Sequence, residues 1–186
     1  MARSAALAEF LAEAQAALGR TNGPAAKVSA EVVVRWSSLG VTGAAPQRLE
    51  VCDYITAALS QNHSRLAARF AALEGELRWT RRITADPADS TFWNGHANAI
   101  VLGPGGLEER SDVLVGATVM APGTLYPDHS HPPAEVYLPL SSGAWWNSEM
   151  AWNDPGLDGF IYNPPGILHA MRAGDKPFLA LWFLPT

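Results

Sequence analysis

The 186-residue chain has a single cysteine, Cys52, so it can form no internal disulfide and offers no pair of thiolates for a cysteine zinc site. A lone thiol of this kind is expected to be buried as a small apolar side chain. Charge is scarce as well: Asp, Glu, Lys and Arg make up 17% of the residues, below the roughly 25% of an average soluble chain. There is no charge block and no low-complexity tract, and 48% of the residues are hydrophobic, which excludes a disordered chain. No apolar run approaches the ~18 residues of a membrane span. The alanine-rich start carries Glu9 and Glu13 where a signal peptide needs an uncharged stretch, so the expected location is cytoplasmic. Basic residues nearly vanish after position 82: residues 83–186 hold three Lys/Arg against eleven Asp/Glu, whereas residues 1–82 hold ten against seven. That acidic second part disfavours nucleic acid as a ligand and tolerates a cation.

The length suits one compact unit with a helical appendage. Ser4 is placed to cap a helix in which Leu7, Phe10, Leu11, Ala14 and Leu18 recur at helical spacing, before Gly19 and the Asn22-Gly23-Pro24 turn. A second helical stretch is expected from about Leu49 to Trp79, broken near Asn62 and His63. The β-branched run Glu31 to Trp36 suits either a strand or a buried helical turn, and helix is preferred here. From about residue 90 short apolar runs alternate with Gly and Pro: 97–102, 113–120, 135–140, 159–162 and 178–184. Many short strands separated by turns predict a sandwich or barrel. The expected division is a helical region over 1–90, packing on a β-barrel over 91–186, with a homodimer as one arrangement the helices could mediate.

The chemistry concentrates in Gly123-Thr-Leu-Tyr-Pro-Asp-His129-Ser-His131-Pro-Pro-Ala-Glu135-Val-Tyr137. Residues two apart on an extended segment share a face, which pairs His129 with His131 and Glu135 with Tyr137. If the prolines turn the chain between these pairs, two imidazoles and a carboxylate converge, and His169, after Pro164-Pro165-Gly166, supplies a third imidazole. Mixed nitrogen and oxygen donors suit one divalent ion among Fe(II), Mn(II), Zn(II), Co(II) and Ni(II), and the donor types do not choose among them.

These residues also carry a family resemblance. Gly123-x5-His129-x-His131-x3-Glu135 resembles the first cupin motif and Pro164-x-Gly166-x2-His169 the second, although Gly143 falls one residue late and Ala173 stands where many cupins have Asn. The resemblance implies a mainly β fold, the cupin double-stranded β-barrel or jelly roll with an N-terminal α-helical region, and a metal inside its mouth. From about Phe92 onward the chain is similar to the cupin-type dimethylsulfoniopropionate lyases of marine bacteria. The similar features are His96-Ala-Asn-Ala, Gly103-Pro104, Met120-Ala-Pro-Gly-x2-Tyr126, the Glu135-x-Tyr137 pair, Gly143-x-Trp145 and Pro177-x-Leu-Ala-Leu-Trp182. Such enzymes release dimethyl sulfide and acrylate from a small zwitterionic substrate.

That elimination needs a base beside a cation that stabilises an enolate-like charge. Tyr137 is the best candidate base, and the resemblance points to the same tyrosine. The resemblance also places Tyr126 in the pocket, as a residue that orients substrate. A sulfonium group prefers aromatic faces, for which Tyr126, Tyr162 and Trp182 are the candidate binding residues. Of the adjacent Trp145 and Trp146, strand alternation lets only one face the pocket. Two other readings stay open at this level: an Fe(II) cupin dioxygenase, and a small-molecule-binding cupin without turnover.

Overall fold

A computed structural model describes residues 3–186. In chain order the elements are α1 (Ala5–Leu18), α2 (Gly23–Trp36), β1 (Val41–Thr42), a 3-10 turn at Glu50–Tyr54, α3 (Ile55–Leu59), α4 (Arg65–Leu73), β2 (Trp79–Thr80) and α5 (Ser90–Gly95). Ten further strands follow: β3 (His96–Leu102), β4 (Glu108–Glu109), β5 (Val113–Met120), β6 (Leu125–His129), β7 (Glu135–Pro139), β8 (Ala144–Asn147), β9 (Met150–Asn153), β10 (Ile161–Asn163), β11 (His169–Arg172) and β12 (Phe178–Pro185). Among the described residues no helix is long and apolar enough to cross a membrane.

The first helix starts where Ser4 accepts a hydrogen bond from the Leu7 amide at 3.2 Å, the usual satisfaction of a free helix N-H. The run Glu31 to Trp36 is helical, because Val28, Val32 and Trp36 recur every fourth residue and bury one face of α2. The stretch from Leu49 to Trp79 is not one helix but short pieces. Ser64 starts α4 by accepting from the Ala67 amide at 3.1 Å, and Asn62 just before it donates to the Leu140 carbonyl at 3.0 Å. Its last residue, Trp79, is drawn into a strand that pairs with Ala99. The first ninety residues therefore also contribute strands, since β1 pairs with β4 and β2 with β3.

Two sheets face each other. The larger runs β1-β4-β3-β5-β12-β7-β10, with β2 also paired to β3, and the smaller runs β6-β11-β8-β9. The large sheet is buried on both faces. Leu179, Leu181 and Phe183 of β12 pack outward into one cluster with Phe10, Val32 and Phe70 of the helices. Phe178, Ala180, Trp182 and Leu184 pack inward with Tyr126, Trp145 and Met171 of the small sheet. Burial on both sides explains why β12 reads as a continuous apolar run rather than an alternating one.

The helical layer is locked to the sheet by charge. Arg3 forks onto Glu108 at 2.7 and 2.8 Å and donates to the Trp36 carbonyl at the end of α2. Arg110 pairs with Asp112 and donates to the Arg35 carbonyl. Cations at the carbonyl end of a helix also meet its partial negative charge.

Candidate active site

The inner sheets bring the two motifs together. His129 ends β6 and His169 begins β11, and these residues are direct partners in the antiparallel pairing. Glu135 begins β7, facing inward with Tyr137, while Val136 and Leu138 face the helices. His131 lies in the intervening turn, and its carbonyl accepts the Gly166 amide at 3.0 Å. Gly166 has φ +71°, a left-handed conformation open to glycine, so the Pro164-Pro165-Gly166 turn can reach across and hold the His131 loop.

The imidazoles share one orientation. His129 Nδ1 lies 3.0 Å from the Pro127 carbonyl, His131 Nδ1 2.9 Å from that of Pro133, and His169 Nδ1 2.9 Å from that of Ile167. A carbonyl can only accept, so each Nδ1 carries a proton, and Nε2 presents a lone pair when the ring is neutral and an N-H when it is charged. For His131 and His169 that nitrogen faces Glu135 Oε2, at 3.2 and 3.4 Å. The buried His169 Nε2 has no hydrogen-bond partner. Lone pairs converging on a carboxylate repel one another unless a proton or a cation lies between them. Backbone carbonyls holding the far ring nitrogens are the usual support for metal-binding histidines. His131, Glu135 and His169 each present a donor atom within 4.8 Å of the others and could hold a metal ion. His129 stands beside this set, its ring centroid 4.1 Å from that of His169.

The electrostatics follow from this geometry. Burial alone would raise the Glu135 carboxyl, but His131 and His169 beside it outweigh that and hold it at about 2. Burial would lower His131, yet its contact with Glu135 raises it. Burial, aided by His169, lowers His129 to about 4. Burial and then the Glu135 charge push the Tyr137 phenol well above its ordinary value.

Several polar residues that support the site went unassigned from the sequence. Asn163 donates to Glu135 Oε2 at 3.4 Å and accepts from Asn147 at 3.1 Å. Tyr126 accepts from the Asn98 amide at 3.0 Å, Asn98 accepts from Thr118 at 2.7 Å, and Thr118 accepts from the Trp182 indole at 3.1 Å. The Arg82 guanidinium lies over the Tyr126 ring, 5.6 Å from its centroid. Strand alternation places Asn98 and Thr118 inward once β3 and β5 are recognised, but nothing in their spacing marks them as polar partners. His96 is fully buried, stacked on Phe92 at 3.7 Å and edge-on to Tyr126.

Of the expected aromatic residues, Tyr126 and Trp182 line the interior with Tyr137. Tyr162 does not: it packs against the helix-facing core, on the face of β10 opposite Ile161 and away from the inward-facing Tyr137. Trp145 faces inward, where its indole N-H is buried without a partner, while Trp146 faces outward toward Trp152. Arg172 stacks on Trp152, away from the histidines.

A family model described as dimethylsulfoniopropionate lyase matches residues 32–180. The chain is 33% identical over 115 residues to a putative dimethylsulfoniopropionate lyase, DddL, of Cereibacter sphaeroides, an alignment covering 62% of this chain and 47% of that protein. It is 28% identical over 115 residues to the dimethylsulfoniopropionate lyase DddQ of Ruegeria pomeroyi, covering 60% and 56%. The chain thus spans about half the length of the curated relatives it matches. The crystal structure of Ruegeria pomeroyi DddQ superimposes with a TM-score of 0.74 at 21% identity, covering 99% of this chain and 93% of that one. A chain from crystal structures of the lyases RdDddP and RnDddQII gives 0.77 at 20% identity, covering 98% and 93%. At such identities the superpositions establish the shared fold alone, two β-sheets with N-terminal helices. With its fold in common with these enzymes and four fifths of its length matched by the family model, this chain belongs to the dimethylsulfoniopropionate lyase family.

Proposed function

We propose that the protein is a metal-dependent carbon-sulfur lyase that cleaves dimethylsulfoniopropionate into dimethyl sulfide and acrylate by β-elimination. The observation that carries this reading is the convergence of the His131 and His169 Nε2 atoms on buried Glu135, directly beside the inward-facing Tyr137. His129, His131, Glu135 and His169 would hold one divalent ion, and their donor types suit Fe(II), Mn(II), Zn(II), Co(II) or Ni(II). When bound, such an ion supplies electrostatic stabilisation for the negative charge that develops at the substrate carboxylate.

The protein's own groups supply the rest. Tyr137 Oη takes the proton from the carbon beside the carboxylate; the C-H electron pair becomes the new carbon-carbon double bond, and the C-S pair leaves with sulfur as neutral dimethyl sulfide. Glu135 opposes ionisation of Tyr137, so any positive partner that Glu135 gains favours the phenolate. The sulfonium end meets the faces of Trp145 and Trp182, whose ring quadrupoles attract a cation. Asn163, which donates to Glu135, keeps that carboxylate turned toward the histidines.

The test is incubation of metal-reconstituted protein with dimethylsulfoniopropionate, with and without oxygen, following dimethyl sulfide and acrylate together. Equal yields of both products in the two atmospheres are expected. Product that requires oxygen would favour the dioxygenase reading, and substrate bound but returned unchanged would favour a binding protein.

A further inference from the structure

The polar chain that runs from Trp182 to Tyr126 has a direction. The Trp182 indole nitrogen can only donate, so Thr118 Oγ1 accepts from it at 3.1 Å. The Thr118 hydroxyl proton is then free to go to Asn98 Oδ1 at 2.7 Å. The Asn98 amide nitrogen donates in turn to Tyr126 Oη at 3.0 Å. Turning the Asn98 amide over would leave the Thr118 hydroxyl proton without an acceptor in a buried site, an arrangement that protein interiors avoid. Sheet register builds the chain. Asn98 and Thr118 are direct partners across β3 and β5, and Trp182 is the direct partner of Gly116. A side-chain carbon on Gly116 would come within 2.2 Å of the Trp182 ring, so glycine there lets the indole lie across β5 and reach Thr118.

With its oxygen already accepting from Asn98, Tyr126 has one unassigned group, its hydroxyl proton. The tyrosine ring stands 4.9 Å from the ring of His129, on the side of the histidine cluster. From this we infer that Asn98 and Thr118 are positioning residues that orient Tyr126 as a hydrogen-bond donor to the carboxylate of the ligand. The assignment deepens the lyase reading and rests on it for the identity of the ligand. Tyr126 and Tyr137 then divide the work: one donates to the carboxylate, while the other takes the proton.

The test uses acrylate, the carboxylate product, titrated calorimetrically into metal-loaded protein, so that binding is read apart from turnover. Removing a donor to a charged group is expected to weaken acrylate about tenfold to a hundredfold in Tyr126→Phe. In Thr118→Val the Asn98 oxygen loses its donor, so the amide can turn and accept the Tyr126 proton itself; a loss of about threefold to tenfold is expected. Thr118→Ser, which keeps the hydroxyl, should recover most of it. In the Tyr126→Phe background, Thr118→Val should add less than about twofold, because its effect passes through the missing hydroxyl. Unchanged or tighter acrylate binding in Tyr126→Phe would overturn the donor assignment, as expected of a phenolate at that position. Independent, multiplying losses from the two substitutions would overturn the role of Thr118, and absence of acrylate binding by the parent protein would overturn the proposal outright. If the binding pattern appears but dimethyl sulfide is not released from dimethylsulfoniopropionate, the lyase reading fails while the positioning of Tyr126 stands.

Discussion

At the scale of single residues, Glu135 is the pivot. It is buried, receives Asn163, and faces the Nε2 atoms of His131 and His169. Replacing it by alanine leaves those nitrogens without their carboxylate, so Glu135→Ala should lose most of its bound metal by elemental analysis; full occupancy would remove Glu135 from the ligand set. Tyr137 touches no metal-binding role in this arrangement. Tyr137→Phe should therefore keep its metal while turnover falls by about 10²- to 10⁴-fold, the usual contribution of a positioned acid or base. Measuring metal content and dimethyl sulfide release on the same sample checks both halves. The motif spacing made these residues legible, because His-x-His-x3-Glu is a property of neighbouring positions. Asn98, Thr118, Asn147 and Asn163 were not legible as a support, because each acquires its partner through strand pairing rather than through spacing.

At the scale of elements, β5 and β12 form the wall that separates two environments. On the inner face of that wall Gly116 leaves room for the Trp182 ring, so Gly116→Ala should displace the indole. A loss of about 1–3 kcal/mol in chemical unfolding is expected for such overpacking, with an altered tryptophan signal in near-ultraviolet circular dichroism. The β4 clamp makes a pH prediction. Burial would raise the Glu108 carboxyl, but Arg3, the Gly40 amide and Arg110 outweigh it and lower it. A lowered carboxyl binds protons more tightly in the unfolded chain, so its stabilisation is present above about pH 4.5 and disappears as pH falls through its folded value. Glu108→Gln should accordingly cost about 3 kcal/mol at pH 7, as expected when one partner of a buried ion pair is removed. The difference from the parent protein should shrink toward zero once the pH has fallen through that folded value, where both chains carry a neutral group. A pH-independent difference would show that packing rather than charge holds β4.

At the scale of the whole molecule, the helices are a cover for the sheet. Phe10, Val32 and Phe70 share one cluster with Leu179, Leu181 and Phe183. Removing residues 1–36 would expose that apolar face of β12 and β5, and aggregation of the truncated protein on expression is the expected result. Metal removal acts on the same scale. An ion that binds only the folded chain stabilises it by about 2.7 kcal/mol at one hundred times its Kd. Chelation should therefore lower Tm, and restoring a divalent ion should raise it in a concentration-dependent way. A Tm indifferent to both treatments would count against the metal site.

By itself the sequence determined the helical start, the strand-rich second part, the ligand spacing and the polarity of the pocket-bearing half, all of which arise from local periodicity, capping and composition. Tertiary structure alone decided the facing of the aromatics. Tyr162 and Tyr137 both stand on strands of the same sheet, yet one faces the helices and the other the small sheet. Trp79 lies at the end of a helical pattern but pairs with β3, because hydrogen bonds to a neighbouring strand outweigh a weak local preference. Which tyrosine donates and which can accept was likewise decided by partners far apart in the chain. Asn98, Thr118, Tyr126 and Trp182 meet only after the sheets have closed, and hydrogen-bond direction is a property of that meeting rather than of any one residue.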